Sequence, residues 1–139
     1  MMVKYENDFA HYELKENLVC ITYKKGTVID LNAAKKIVLD RIRFQEEKDY
    51  PVLCDIRAVH SMDYLARDYL TREGLVYITT LAILIKSGAI DLMTQLHHTT
   101  NRPIIRTGVF RKISDAKEFL NRNIELLIPI CWGLVSSFS

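Results

Sequence analysis

Along this chain the period of apolar and polar positions changes several times, and each change marks an element. Residues 11–14 and 18–23 carry strand-forming side chains on either side of the turn-like Lys15, Glu16 and Asn17, which predicts an antiparallel hairpin. Lys24, Lys25 and Gly26 interrupt that pattern. Asp30 then precedes Leu31, Ala34, Val38 and Ile42, whose three- and four-residue spacing predicts an amphipathic helix capped by Asp30 and ending near Glu47. Asp49, Tyr50 and Pro51 punctuate the chain, and residues 52–56 read as a short buried strand. Ser61 is placed to cap a second helix with Met62, Leu65, Ala66, Tyr69 and Leu70 along its inner face.

Residues 75–85 are largely apolar and fit more helix, a strand, or both; we place a strand at residues 81–85, with Gly74 as a natural helix end. Lys86, Ser87 and Gly88 close that strand, and Ala89, Leu92, Met93 and Leu96 share one helical face until Asn101, Arg102 and Pro103 stop the helix. Residues 104–110 supply a fifth strand. Ser114 is expected to cap a last helix, with Asp115 complementing its dipole and Ala116, Phe119 and Leu120 turned inward. The order ββαβαβαβα needs crossovers between parallel strands, so the expected class is α/β, a five-stranded mixed sheet with four packed helices.

At 139 residues the chain has the length of one domain, and 49% apolar with 26% charged residues is ordinary globular usage. Nineteen basic against 17 acidic residues, spread along the chain, do not point to nucleic acid. Cys20, Cys54 and Cys131 show no metal-ligand spacing and fit buried thiols in a reducing compartment. The first residues lack the apolar stretch of a secretory signal, so a cytoplasmic location is expected. The apolar run at 126–135, broken by Pro129 and Gly133, falls short of the roughly 20 residues of a membrane span. Residues 1–123 are therefore expected to form the domain. The tail, 124–139, is expected to pack on that domain or on a partner, with Trp132 as an interface anchor and a homodimer the favoured assembly.

The element order, together with Asp55, Ile56, Arg57, Ala58, Val59, His60, Ser61, Met62 and Asp63, resembles the STAS-like (SpoIIAA-like) fold of anti-sigma-factor antagonists, and within it an uncharacterised bacterial group. In those antagonists a strand ending in Asp leads through a loop to Met-Asp-Ser, whose serine accepts a phosphoryl group. Here Asp55 and Met62-Asp63 match, but Tyr64 stands where the resemblance puts the serine, and Leu65, Ala66 and Arg67 replace the small residues that follow. Ser61 would accept phosphate only with a shifted helix start. The resemblance implies a regulatory, protein-binding role without that phosphorylation switch; related lipid-transfer folds make a small apolar ligand the competing implication.

Ligands of open α/β sheets meet the carboxyl ends of the strands, which directs attention to Asp55, Arg57, His60, Ser61, Asp63, Tyr64 and Arg67 as candidate binding residues. Asp55 and Arg57 are expected to pair and close the loop, and Arg67 to reach Asp63 one turn earlier. His60 has no neighbouring nucleophile, and His97 and His98, adjacent in sequence, diverge too far to share a metal. No phosphate-cradling glycine motif is present, so neither catalysis nor a cofactor is expected. The sequence thus favours a non-enzymatic regulatory or protein-interaction module. The alternative, a carrier or sensor of a small apolar or lipid-like ligand, requires an internal pocket of at least about 300 Å³. An enzyme acting through Asp55, His60 and Arg67 is third.

Overall fold

The computed structural model describes residues 3–86 and 105–131, with side chains through residue 122. The predicted hairpin forms from β2 (Ala10–Lys15) and β3 (Leu18–Tyr23), preceded by a short β1 (Lys4–Glu6). Lys15 pairs with Leu18, leaving a two-residue turn in which Glu16 (φ 54) and Asn17 (φ 63) both take positive φ. That backbone matches the twist of the strands it joins.

β4 (Thr27–Ile29) then leads into α1 (Leu31–Phe44), and Asp30 caps this helix by accepting from the Ala33 N–H. β5 (Tyr50–Asp55), β6 (Val59–Met62), α2 (Tyr64–Glu73), β7 (Ile78–Leu84), β8 (Arg106–Phe110) and α3 (Ile113–Cys131) complete the described chain.

The main sheet has six strands in the order β1-β2-β3-β5-β7-β8, antiparallel through β3 and parallel beyond it, and β4 pairs with β6 as a separate two-stranded ribbon. All five expected strands are therefore found, but the count of five is corrected to six. Lys-Tyr-Glu of β1 is too short and too polar to show a period, and it forms only because β2 offers it an open edge. Among the described residues there are three helices rather than four. The expected helix through Ala89, Leu92, Met93 and Leu96, with His97 and His98, lies outside the described residues, as does Trp132.

The crossovers from β3 to β5 and from β5 to β7 advance across the sheet in one direction, so right-handed connections lay α1 and α2 on one face. Tyr12, Val19, Ile21, Val52 and Ile78 meet Ala33, Ala34, Ile37, Phe44 and Ala66 there. On the opposite face Leu53, Ala82 and Leu84 pack against Ala116 and Leu120 of α3. Both faces are thus covered, which explains why the parallel strands read as continuous apolar runs. Gly108 permits this closeness on β8, because a Cβ there would lie 2.7 Å from the Phe110 ring.

Two helix starts differ from expectation. α2 begins at Tyr64, with Asp63 rather than Ser61 as its cap, since Ser61 and Met62 are drawn into β6 by pairing with Val28 and Ile29. α3 begins at Ile113, and the carbonyl of Lys112 accepts the first helical bond, from Ala116, so Ser114 lies inside the first turn. Leu65, expected on the inner face of α2, is 57% exposed. Ala66, Tyr69 and Leu70 take the core-facing stripe, and Leu65 falls at its margin. On α1 the buried stripe likewise centres on Ala34, Ile37, Val38, Arg41 and Phe44, leaving Leu31 and Ile42 at its edges.

Candidate functional site

β3, β5 and β7 run parallel, so their carboxyl ends open at one end of the sheet. An open cleft of about 700 Å³ lies there, lined by Thr22, Tyr23, Lys25, Gly26, Asp55, Arg57, Ala58, Val59, His60 and Lys86. Its floor is built by the loop after β5. Asp55 accepts from Arg57 three times, from the backbone N–H (3.1 Å) and Nε (3.0 Å) at Oδ1 and from Nη2 (2.8 Å) at Oδ2. The expected pair is therefore formed, with a bidentate fork, and the carboxylate raises the guanidinium pKa further.

The neighbouring loop is tied to this one. Gly26, with φ 78, donates its N–H to the Ala58 carbonyl at 2.9 Å, and the Thr27 hydroxyl donates to the Lys24 carbonyl.

Of the seven predicted site residues, Asp55, Arg57 and His60 line the cleft. Ser61, Asp63, Tyr64 and Arg67 do not; they follow it on the ribbon and the first turns of α2. Asp63 Oδ1 accepts from the Ala66 N–H at 2.8 Å, so the carboxylate is committed to its cap. The expected Asp63–Arg67 pairing is corrected accordingly: Arg67 Nη1 donates to the Met62 carbonyl at 3.1 Å, and its enclosed Nε has no partner.

This division predicts that Asp63→Ala lowers stability by about 1 kcal/mol while Ser61→Ala, at an exposed strand position, changes it by less than about 0.5 kcal/mol. Equal losses in urea titrations of the two variants would contradict the cap assignment.

Lys25, Thr22 and Lys86 were not legible as site residues. Lys25 follows β3 and Lys86 follows β7, so applying the strand-end rule to every parallel strand, rather than to β5 alone, would have gathered them.

A second feature flanks the cleft. Val28 on β4 (57% exposed), with Tyr64 (52%) and Leu65 (57%) in the first turn of α2, presents apolar surface around the β4–β6 ribbon. A third lies between the sheet and the helix pair, a cavity of about 130 Å³ lined by Ile21, Val38, Arg41, Cys54, Leu70, Ile83 and neighbouring side chains. Burial pushes the Cys54 thiol up to about 12, with a hydrogen bond from Tyr23 working the other way, and burial raises Cys20 also. Both thiols stay protonated near neutrality, the opposite of what an activated nucleophile needs.

Among the described residues no group of three or more His, Cys, Asp or Glu side chains gathers to hold a metal, and no helix is long and apolar enough to cross a membrane.

Six strands, antiparallel then parallel, with helices on both faces and a cleft at the strand ends define a SpoIIAA-like α/β fold. The structure is similar to that of an uncharacterised protein of the DUF3478 family with a SpoIIAA-like fold from Shewanella loihica PV-4, at a TM-score of 0.54 and 12% identity, over 84% of this chain and 98% of the other. At that identity the likeness speaks to fold alone. The chain belongs to the domain-of-unknown-function family DUF7793, whose profile matches residues 12–124. No curated protein matches it.

Proposed function

We propose that the chain is a non-enzymatic regulatory module that docks a partner protein on the β4–β6 ribbon and the start of α2. The observation that supports this is the exposed apolar surface of Val28, Tyr64 and Leu65, carried by adjacent elements whose inner residues, Ile29, Met62 and Ala66, are buried. Of the other large exposed apolar residues, Leu39 stands on α1, Ile113 on α3, Val3 before β1 and Val76 between α2 and β7. Apolar side chains held out on a rigid support cost little ordering entropy when a partner covers them, which is the usual make-up of an interface centre. Tyr64 supplies an aromatic anchor at the position where the resemblance to anti-sigma-factor antagonists places a phosphoacceptor serine, so docking here needs no phosphorylation step.

Affinity capture with the purified chain tests this. A protein retained by the wild type is expected to be lost at least tenfold with Leu65→Glu, and retained with Leu39→Glu, a control at another exposed leucine, both variants giving wild-type circular dichroism. An unchanged set of captured proteins with Leu65→Glu would remove the proposal. Self-association through the same patch would show as a dimer in light scattering that Leu65→Glu dissociates.

The apolar cavity supports a lipid carrier poorly. Its volume of about 130 Å³ is near that of an engineered cavity of about 150 Å³ that accommodates benzene, and below the roughly 300 Å³ of typical ligand pockets.

A further inference from the structure

We propose that the cleft at the carboxyl ends of β3, β5 and β7 binds a compact dianionic oxyanion, the phosphoryl group of a small organic phosphate. This site is separate from the docking patch and does not rest on it. Three cations reach the cleft from three distant segments: Lys25 from the turn after β3, Arg57 from the loop after β5, and Lys86 from the end of β7. His60 adds an imidazole from β6. The carboxylate of Asp55 is the acidic group lining the cleft, and the Arg57 fork occupies both of its oxygens. Lys25, His60 and Lys86 have no ion-pair or hydrogen-bond partner among the described residues. With Arg57 neutralised by Asp55, the two lysines are the cleft cations without an answering carboxylate among the described residues, and an anion bound between them is attracted by both.

The support is rigid where the charges are carried. The bond from Gly26 N–H to the Ala58 carbonyl (2.9 Å) joins the Lys25 turn to the Arg57 loop, and the bond from Val59 N–H to the Ile56 carbonyl (3.1 Å) closes that loop on itself. The Thr22 hydroxyl, also unpaired among the described residues, adds a donor on the cleft wall. Apart from its own chain neighbours, nothing lies within 4 Å of where a Cβ on Gly26 would stand, so this rim leaves room for a ligand.

Lysine ammonium groups act as point charges with three donors each and can meet several oxygens of a tetrahedral dianion, while the guanidinium fork of Arg57 is engaged by Asp55 and contributes as a positioned part of the wall. The cleft, at about 700 Å³, is larger than a phosphate ion alone and lies within the range of small-molecule sites. The same phosphoryl chemistry is offered by a free metabolite or by a lipid headgroup.

The test is a titration of the isotopically labelled full chain with glycerol 3-phosphate at low ionic strength, followed by amide chemical shifts, beside a chloride titration at matched ionic strength. Saturable shifts at Lys25, Gly26, Arg57, His60 and Lys86 with the phosphate alone are expected. The Lys25→Ala/Lys86→Ala double variant is expected to bind at least tenfold more weakly, and Lys35→Ala, on the exposed side of α1, to bind as the wild type. Equal shifts with chloride, or full affinity in the double variant, would overturn the proposal. A parallel flotation assay with phosphatidic acid vesicles assigns the source. Tighter, variant-sensitive binding to vesicles identifies a headgroup, and tighter binding of the free monoester identifies a metabolite.

Discussion

Replacing Arg41 with alanine is expected to destabilise the protein by about 3–5 kcal/mol, read as a fall in the urea midpoint of roughly 2 M. Arg41 is only 3% exposed, and its guanidinium donates to Gln45 Oε1 (2.7 Å), the Gly74 carbonyl (3.0 Å) and the Val76 carbonyl (2.8 Å). Gln45 extends the clamp by donating to the carbonyls of Lys48 and Tyr77, each at 2.8 Å. Arg41 in the last turn of α1 and Gln45 at its C-cap thus hold the segment between α2 and β7, where Tyr77 takes φ 63.

Burial lowers the Arg41 pKa, a mark of the desolvation that its hydrogen bonds offset. Truncation would strand the buried Gly74 carbonyl and the part-buried Val76 carbonyl and open a void beside the cavity. Arg41→Met separates these contributions, because it keeps most of the volume and removes only the donors; a cost of about 2–3 kcal/mol is expected. Wild-type stability in Arg41→Met would show that the carbonyls do not depend on the guanidinium.

Alkaline pH is expected to weaken the fold well before lysines titrate. The Cys54 thiol is raised by burial from 9.0 to about 12, and burial raises the hydroxyls of Tyr12 and Tyr23 above their ordinary value of 10.0. All three are neutral when protonated, and the unfolded chain gives up their protons at lower pH than the folded one. Stability from this source is complete below about pH 9 and falls as pH rises, by about 1.4 kcal/mol per unit for each group between its unfolded and folded values. Cys54 alone should account for roughly 3 kcal/mol by pH 11, with the two tyrosines adding to the loss above pH 10. As a residue Cys54 is only partly buried, but its thiol lies against Tyr23 within the apolar layer, which is why the shift is carried by burial. Urea midpoints measured between pH 7 and 11 check this. Cys54→Val should make the decline between pH 9 and 10 markedly shallower, and an unchanged slope in that variant would assign the sensitivity elsewhere.

Much of the scaffold was legible because local patterns bury one face. Asp30 before a helical stripe, the turn at Glu16 and Asn17, and the apolar run of β5 each announce an element from local pattern, whereas residues 75–85 fit helix and strand alike and β7 begins at Ile78, three residues before the strand expected at 81–85. The ribbon of β4 and β6 was not legible. Thr27–Ile29 and Val59–Met62 are three and four residues long, and each becomes a strand only by pairing with the other across about thirty intervening positions. That pairing moves the helix start from Ser61 to Asp63 and turns Tyr64 and Leu65 outward.

The candidate site divides in the same way. Asp55 and Arg57 are two residues apart, so their pairing is a local event that sequence spacing determines. Lys25 and Lys86 meet them only because parallel pairing of β3, β5 and β7 brings three strand ends to one side of the sheet. The sequence by itself determined the class of fold, the hairpin, the first helix cap and the Asp55 loop, since each depends on neighbours within a turn or a strand. The tertiary structure alone decided the charge of the cleft, the outward face of α2 and the buried clamp of Arg41, because each depends on which distant segments the sheet order makes adjacent.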